Sequence, residues 1–138
     1  MRAKLGVLSA GVAAVVGLTA APVAAAPAAE SAACYGAACN GLDPVANGCT
    51  ADSRLVHYGY TEADGVVELR HSTTCGTMYA RVLFSYPGAE LYIGGANAGT
   101  PGYYRVRVPE GSTSVVSPLL AGATLAYSGS AFAFNIGA

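Results

Sequence analysis

The 138-residue sequence has no tryptophan, and Lys4 is its only lysine. Charged residues make up only 11% of it, and past residue 28 eight acidic residues outnumber five scattered arginines. Proteins that bind nucleic acid present clustered basic side chains to the phosphate backbone. Because this chain has no such cluster, the sequence excludes nucleic acid as an expected partner.

The sequence has no long apolar run except near its start. Arg2 and Lys4 precede an uncharged apolar run at residues 5–21, and small residues follow as far as Ala28. This order is typical of a secretory signal peptide with its cleavage site. We expect cleavage after Ala28, so that residues 29–138 form one secreted, extracellular domain with no membrane span.

Two other processing sites remain open. Cleavage after Ala33 is one, and lipoprotein-type cleavage ahead of Cys34 is the other, because small residues also precede that cysteine. The lipoprotein site lacks the usual leucine, has Ser31 in its place, and lies far beyond the apolar run. We therefore expect a free domain.

Four cysteines in a short exported chain predict two disulfides. The short spacing of Cys34 and Cys39 favours a bond between them, and Cys49–Cys75 would then tie the N-terminal segment to the central strands. The crossed and nested pairings remain open. Zinc sites commonly contain Cys-x-x-Cys, which is absent here, so we expect no metal and no cofactor.

Short segments rich in β-branched and aromatic residues fill the rest of the chain, without a sustained helical period. We predict strands at residues 55–61, 66–72, 78–85, 91–93, 103–108, 114–117, 124–127 and 131–136. Frequent turn signals separate them, including a hairpin turn at residues 62–65. The pattern predicts an all-β fold, a small antiparallel sandwich or barrel with a disulfide-held N-terminal loop at residues 34–49.

Alternation within the strands predicts which side chains share a face. In the second strand Glu68 and Arg70 point away from the side that carries the apolar residues. In the third strand four apolar residues share one face: Met78, Ala80, Val82 and Phe84. Arg81 lies on the opposite face of that strand.

Glu68, Arg70 and Arg81 are the candidate binding residues. If the second and third strands pair, these side chains form cross-strand contacts on the solvent face. The set predicts either an ordinary surface ion network or a patch that binds an anionic envelope polymer or a partner's acidic group. A second candidate surface consists of tyrosines that could stack on sugars or peptides, although tyrosine is also a common strand residue: Tyr58, Tyr60, Tyr103 and Tyr104.

Two stretches, CYGAACNGLDPVANGCTADS and VELRHSTTCGTMYAR, carry a family resemblance. Their cysteines and polar residues resemble, in order and spacing, a family of small exported proteins of Gram-positive bacteria, abundant in actinomycetes. That family is a YjfA-like domain of unknown function. The resemblance implies an exported, disulfide-bonded domain and implies no activity.

Catalytic patterns are weak in this sequence. His57, His71, Ser72 and Asp52 offer the residue types of a nucleophilic triad, but no Gly-x-Ser-x-Gly elbow is present. We expect no enzyme. We predict an uncharacterised secreted protein with a non-catalytic binding or structural role at the cell envelope or outside the cell, its partner an envelope polymer or a secreted protein. The alternative is a small hydrolase or a secreted protease inhibitor, with residues 34–49 or 94–102 as the inhibitory loop.

Overall fold

The computed structural model describes residues 32–61, 65–95 and 102–135. The predicted signal peptide lies outside these residues, as do positions 62–64 of the predicted hairpin turn and most of the loop at residues 94–102. The described chain forms one 3₁₀ turn, Gly36–Cys39, and eight strands. The strands are β1 Arg54–Thr61, β2 Gly65–Ser72, β3 Thr77–Leu83, β4 Glu90–Gly94, β5 Tyr103–Arg107, β6 Val115–Val116, β7 Leu125–Ser128 and β8 Ala131–Phe134.

The strands form two four-stranded antiparallel sheets, which confirms the predicted all-β class. The first sheet has the order β1-β2-β3-β6 and the second has the order β5-β4-β7-β8. Neighbours along the chain pair in the hairpins β1–β2, β2–β3, β4–β5 and β7–β8. The pairings β3–β6 and β4–β7 join distant parts of the chain. In the described residues no helix is long and apolar enough to cross a membrane.

The main core lies between the two sheets and follows the period of two that strands impose. Val67 and Leu69 of β2 and Leu91 and Ile93 of β4 are fully buried. The second sheet also contributes small side chains to the core, such as Ala133 of β8. Alanine and phenylalanine alternate in β8, so its alanines face the core and its phenylalanines lie on the outer face of the sheet.

The prediction that Phe84 shares a face with Met78, Ala80 and Val82 is wrong. The third strand ends at Leu83, and Phe84 has a φ of 59°, in the left-handed region. The alternation of the strand therefore stops one residue earlier, and 80% of the Phe84 side chain is exposed. The next residue, Ser85, is buried instead.

A second apolar cluster lies on the other face of β3 from the main core. Tyr79, which alternation places away from Met78 and Ala80, is only 3% exposed because the disulfide-held N-terminal segment covers it. Leu119 completes the cluster, and its backbone pairs with that segment through Gly41 N–H and Leu42 C=O. The segment thus covers part of the outer face of the first sheet.

The two sheets approach closely where β1 lies beside β8. A Cβ on Gly59 would stand 1.9 Å from the carbonyl oxygen of Phe132, a distance that real structures do not allow. Glycine is therefore required at this position in β1.

Candidate functional site

The predicted charged set comes together on the outer face of the first sheet. Glu68 lies directly opposite Arg81 in the register of β2 and β3. Its Oε2 atom accepts hydrogen bonds from Arg81 Nε and from Arg70 Nη1, the latter at 2.9 Å. Only 13% of the Glu68 side chain is exposed. The three residues form a compact ion network.

Arg70 is also held by the residue that precedes β1. Its Nε donates to the Ser53 hydroxyl at 3.2 Å, and its Nη2 donates to the Ser53 carbonyl at 3.1 Å. The Ser53 hydroxyl in turn bonds with the Tyr79 hydroxyl at 2.7 Å. Arg70 therefore uses its donors inside the protein, where it fastens the disulfide-held segment to the sheet.

Glu68 and Arg81 shift each other's pKa values in the directions that favour the charged forms. Burial alone would raise the pKa of the Glu68 carboxyl, but the hydrogen bonds and charges of Arg81 and Arg70 outweigh burial and lower it. The hydrogen bond from Glu68 raises the pKa of Arg81. Glu68 and Arg81 therefore stay ionised at neutral pH. The role of the network in binding an anion stays a prediction.

The four cysteine sulfurs lie within 4.8 Å of one another, and the bonds between them are Cys34–Cys39 and Cys49–Cys75. This is the pairing that the spacing favours. Asp52, three residues after Cys49, accepts the Ser72 hydroxyl at 2.7 Å and the Thr74 backbone N–H at 2.7 Å. These bonds fix the turn that carries Cys75. Ser72 is thus engaged in a structural turn, and its hydroxyl also accepts the Cys75 N–H.

A row of aromatic rings crosses the outer face of the second sheet. It consists of Tyr103 on β5, Tyr92 on β4, Tyr127 on β7, and Phe132 and Phe134 on β8. We call these five residues the aromatic row. Successive ring centroids in this order are 6.3, 4.5, 5.7 and 5.9 Å apart. The row therefore runs without a break across all four strands.

The rings of the row remain accessible although they contact each other. Tyr103 is 65% exposed, and Phe132 and Phe134 are each 45% exposed. At the β8 end the row continues to His57 of the first sheet, whose ring lies 6.4 Å from that of Phe134. Cross-strand aromatic pairs stabilise a sheet, but they do not require rings this exposed.

A carboxylate and two arginines flank the β5 end of the row. Glu90 Oε2 accepts a hydrogen bond from the Tyr92 hydroxyl at 2.5 Å, and Glu90 Oε1 accepts one from Arg107 Nε at 2.9 Å and forms an ion pair with Arg107 Nη2 at 2.7 Å. Arg105 Nη1 is 3.7 Å from the same Oε1 atom. The hydrogen bond from Tyr92, with that from Arg107, lowers the pKa of Glu90. The Tyr92 hydroxyl and Glu90 also raise the pKa of Arg105.

Sequence reasoning found part of this surface. Tyr103 was among the tyrosines expected on a binding face, but Tyr104 is half-buried and packs against the core. Tyr58 and Tyr60 are exposed on β1 and are not members of the row, although the Tyr58 ring lies 6.3 Å from that of His57. Tyr92 and Tyr127 were missed because their neighbourhood depends on the non-local pairing of β4 with β7. The alternation of alanine with phenylalanine in β8 was the available signal for the remaining two rings.

Comparison with known proteins places residues 37–131 in one family model, described as "Protein of unknown function (DUF2690)". The match confirms the expected membership in a family of unknown function, while Gram-positive origin and a YjfA-like identity stay predictions. No curated protein and no solved structure matches the chain. Evidence about function therefore comes from the geometry of the chain.

Proposed function

We propose a function on the premise that the chain belongs to the DUF2690 family, whose function is unknown. In our proposal it is an exported, non-catalytic protein that binds a polysaccharide of the cell envelope along the aromatic row. The observation that carries the proposal is the unbroken row of five exposed or half-exposed rings on the outer face of the second sheet.

The shape of the row supports an extended ligand. Neighbouring strands lie about 4.8 Å apart, so rings on four adjacent strands span roughly 14 Å. A contiguous exposed apolar patch often marks a binding site, whereas single exposed apolar residues do not. A linear polymer can contact all five rings at once, whereas one small molecule can contact only a few of them.

The chemistry of the row supports a sugar polymer over a protein partner. Sugar rings have apolar C–H faces that pack on aromatic rings, and hydroxyl groups that need hydrogen-bond partners. The row supplies both, because the hydroxyls of Tyr92, Tyr103 and Tyr127 and the charges of Glu90 and Arg107 accompany its apolar rings. A stable protein interface buries about 800 Å² on each partner, a wider surface than one line of rings.

Retention on isolated cell walls tests this proposal. Tyr103→Ala removes the most exposed ring of the row, and we expect it to weaken retention about three- to tenfold, the effect of losing one aromatic contact. Tyr60→Ala is the matched control, because Tyr60 is an equally exposed strand tyrosine that lies outside the row. Equal retention of both variants, or no retention of the wild type, would overturn the proposal.

Export is tested by the intact mass of the protein in separated medium and cell fractions. The proposal expects residues 29–138 less the four hydrogens lost in two disulfides, found in the medium or bound to walls. A lipid-modified chain that starts at Cys34 would contradict the disulfide Cys34–Cys39, since its cysteine would then carry the lipid. An uncleaved chain inside the cell would contradict export.

A second candidate, a protein partner such as a protease, is favoured by one observation. The disulfide-held segment is rigid, since Asp43 Oδ1 accepts the backbone N–H groups of Val45 and Ala46 at 2.7 and 2.9 Å. It also exposes the apolar side chains of Tyr35 and Val45. Rigid exposed loops are suited to inhibition. Tight inhibition of a secreted protease that Val45→Asp abolishes and Tyr103→Ala leaves intact would favour this candidate.

A further inference from the structure

A cavity of about 340 Å³ adjoins the aromatic row. It lies between the turn that precedes β4 and the turn that joins β7 to β8, and Tyr92 and Tyr127 of the row form part of its lining. This volume is within the range of sites that hold small molecules. The cavity therefore offers room for one compact unit beside the row.

Aromatic rings form the walls of this cavity. The rings of Tyr92 and Tyr127 are parallel within 6° and 4.5 Å apart, so they form a rigid stack in which each ring covers one face of the other. Tyr86, about half exposed, lines the cavity from the preceding turn. Gly88 in the same turn has a φ of 87°, and no atom lies within 4 Å of the position that a Cβ would take. The entrance at this turn is open.

Glu90 gives the cavity a hydrogen-bond acceptor. Each carboxylate oxygen can accept about two hydrogen bonds. Among the described residues, Oε1 accepts a hydrogen bond from Arg107 Nε and is in ion-pair contact with its Nη2, whereas Oε2 accepts only one, from the Tyr92 hydroxyl. One acceptor position on Oε2 is therefore left for a donor from outside the protein.

We propose that this cavity is the subsite for one neutral sugar unit of the polysaccharide that the aromatic row holds. The inference rests on the proposed function and deepens it. The apolar face of the sugar ring packs on the stack formed by Tyr92 and Tyr127, and a hydroxyl of the sugar donates to Glu90 Oε2. A carboxylate of a sugar acid in place of that hydroxyl has no hydrogen to donate and would meet the acceptor Oε2, so Glu90 determines specificity for a neutral unit with a hydroxyl donor at this point.

The test measures how free sugars compete with cell walls for the full exported protein. The probes are N-acetylglucosamine, which is neutral, and glucuronate, which is anionic and of similar size. For the wild type we expect N-acetylglucosamine to compete at least tenfold better. In Glu90→Gln we expect competition by N-acetylglucosamine to weaken about tenfold, the loss expected when one hydrogen bond to a charged group is removed.

A change of selectivity separates this role from a structural one. Glu90→Gln frees Arg105 and Arg107, so glucuronate should compete better with this variant than with the wild type. Glu110→Gln removes an exposed carboxylate elsewhere and should change neither competition. Thermal unfolding checks that Glu90→Gln remains folded, as expected for a site whose arginines are more than half exposed.

The outcomes distinguish the two proposals. If walls retain the wild type and Tyr103→Ala weakens retention, but neither sugar competes and Glu90→Gln matches the wild type, the subsite is wrong and the row proposal stands. If Glu90→Gln changes both sugars equally, the specificity role is wrong. If walls do not retain the wild type at all, the proposed function fails, and the subsite fails with it.

Discussion

Glu68 is the counter-charge of two partly buried arginines, Arg70 and Arg81. Replacing it by glutamine leaves Arg70 and Arg81 without their counter-charge. We expect Glu68→Gln to lower the free energy of unfolding by about 2 kcal/mol, the order of a hydrogen bond to a charged group that is lost from a partly buried site. Urea unfolding measures the change, and Glu110→Gln is the exposed control. Equal stability of the two variants would show that the network contributes little.

The pKa of Glu68 also predicts how stability depends on pH. Because the pKa is lowered in the folded state, the stability it contributes is fully present above the ordinary glutamate pKa of about 4.3 and is lost as pH falls through the folded value. We expect unfolding measured from pH 7 down to pH 3 to show a loss of stability in the acid range that is smaller in Glu68→Gln. A parallel decline in the two proteins would rule out this source.

Glu90 predicts a different pH dependence, that of binding. Its pKa is lowered by the hydrogen bonds from Tyr92 and Arg107, so its carboxylate is ionised above about pH 4.3. Competition by N-acetylglucosamine should therefore be constant from pH 8 to pH 5 and weaken only in more acidic solution. The Glu90→Gln variant should show no such acid dependence. A loss between pH 8 and pH 5 in the wild type would point to a different group.

Single residues show where sequence reasoning reaches its limit. Glu68 and Arg81 could be placed together from alternation and a hairpin, since both signals are local. The partners of Arg70 could not be predicted, because Ser53 reaches it only after the disulfide-held segment folds over the sheet. Phe84 was misplaced because the end of a strand depends on its backbone torsion rather than on alternation.

At the scale of the elements, the junction of β1 with β8 joins the two sheets. Gly59 is the residue that permits the contact, because a Cβ at this position would collide with the Phe132 carbonyl oxygen. We expect Gly59→Ala to destabilise the protein by about 3 kcal/mol, at the upper end of overpacking effects, because backbone and not a flexible side chain opposes the added methyl. Thermal or urea unfolding gives the value.

Gly102→Ala is the control for this substitution. No atom lies within 4 Å of the position that its Cβ would take. Its stability should therefore stay within about 0.5 kcal/mol of the wild type. A mild effect of Gly59→Ala, comparable to this control, would mean that β1 and β8 are not in tight contact.

Strands and hairpins were largely predictable, and the sheets were not. Periods of two and turn residues mark each strand locally, so all eight predicted segments needed changes only at their ends. The pairings β3–β6 and β4–β7 depend on contacts between distant segments, which no local pattern encodes. The aromatic row depends on the second of these pairings, and it could therefore be recognised only in the folded structure.

For the whole molecule, the two disulfides should differ in what they contribute. Cys49–Cys75 closes a loop of 26 residues and Cys34–Cys39 closes one of 5. Loop-closure entropy then predicts stabilisation of about 3.5 kcal/mol for the first and about 2 kcal/mol for the second. Urea unfolding of the two double alanine variants should show the larger loss for Cys49 and Cys75. The reverse order would show that loop closure is not the main source of their stabilisation.

The central claim for the whole molecule is that one face of the second sheet holds the ligand. Amide chemical-shift mapping by ¹H–¹⁵N NMR, with soluble cell-wall glycan fragments titrated into the exported domain, tests it most directly. We predict that the largest shifts fall on Tyr92, Tyr103, Tyr127 and Phe132, with little change on the first sheet. Shifts confined to the ion network around Arg81 or to the disulfide-held segment would contradict the account and move the binding site there.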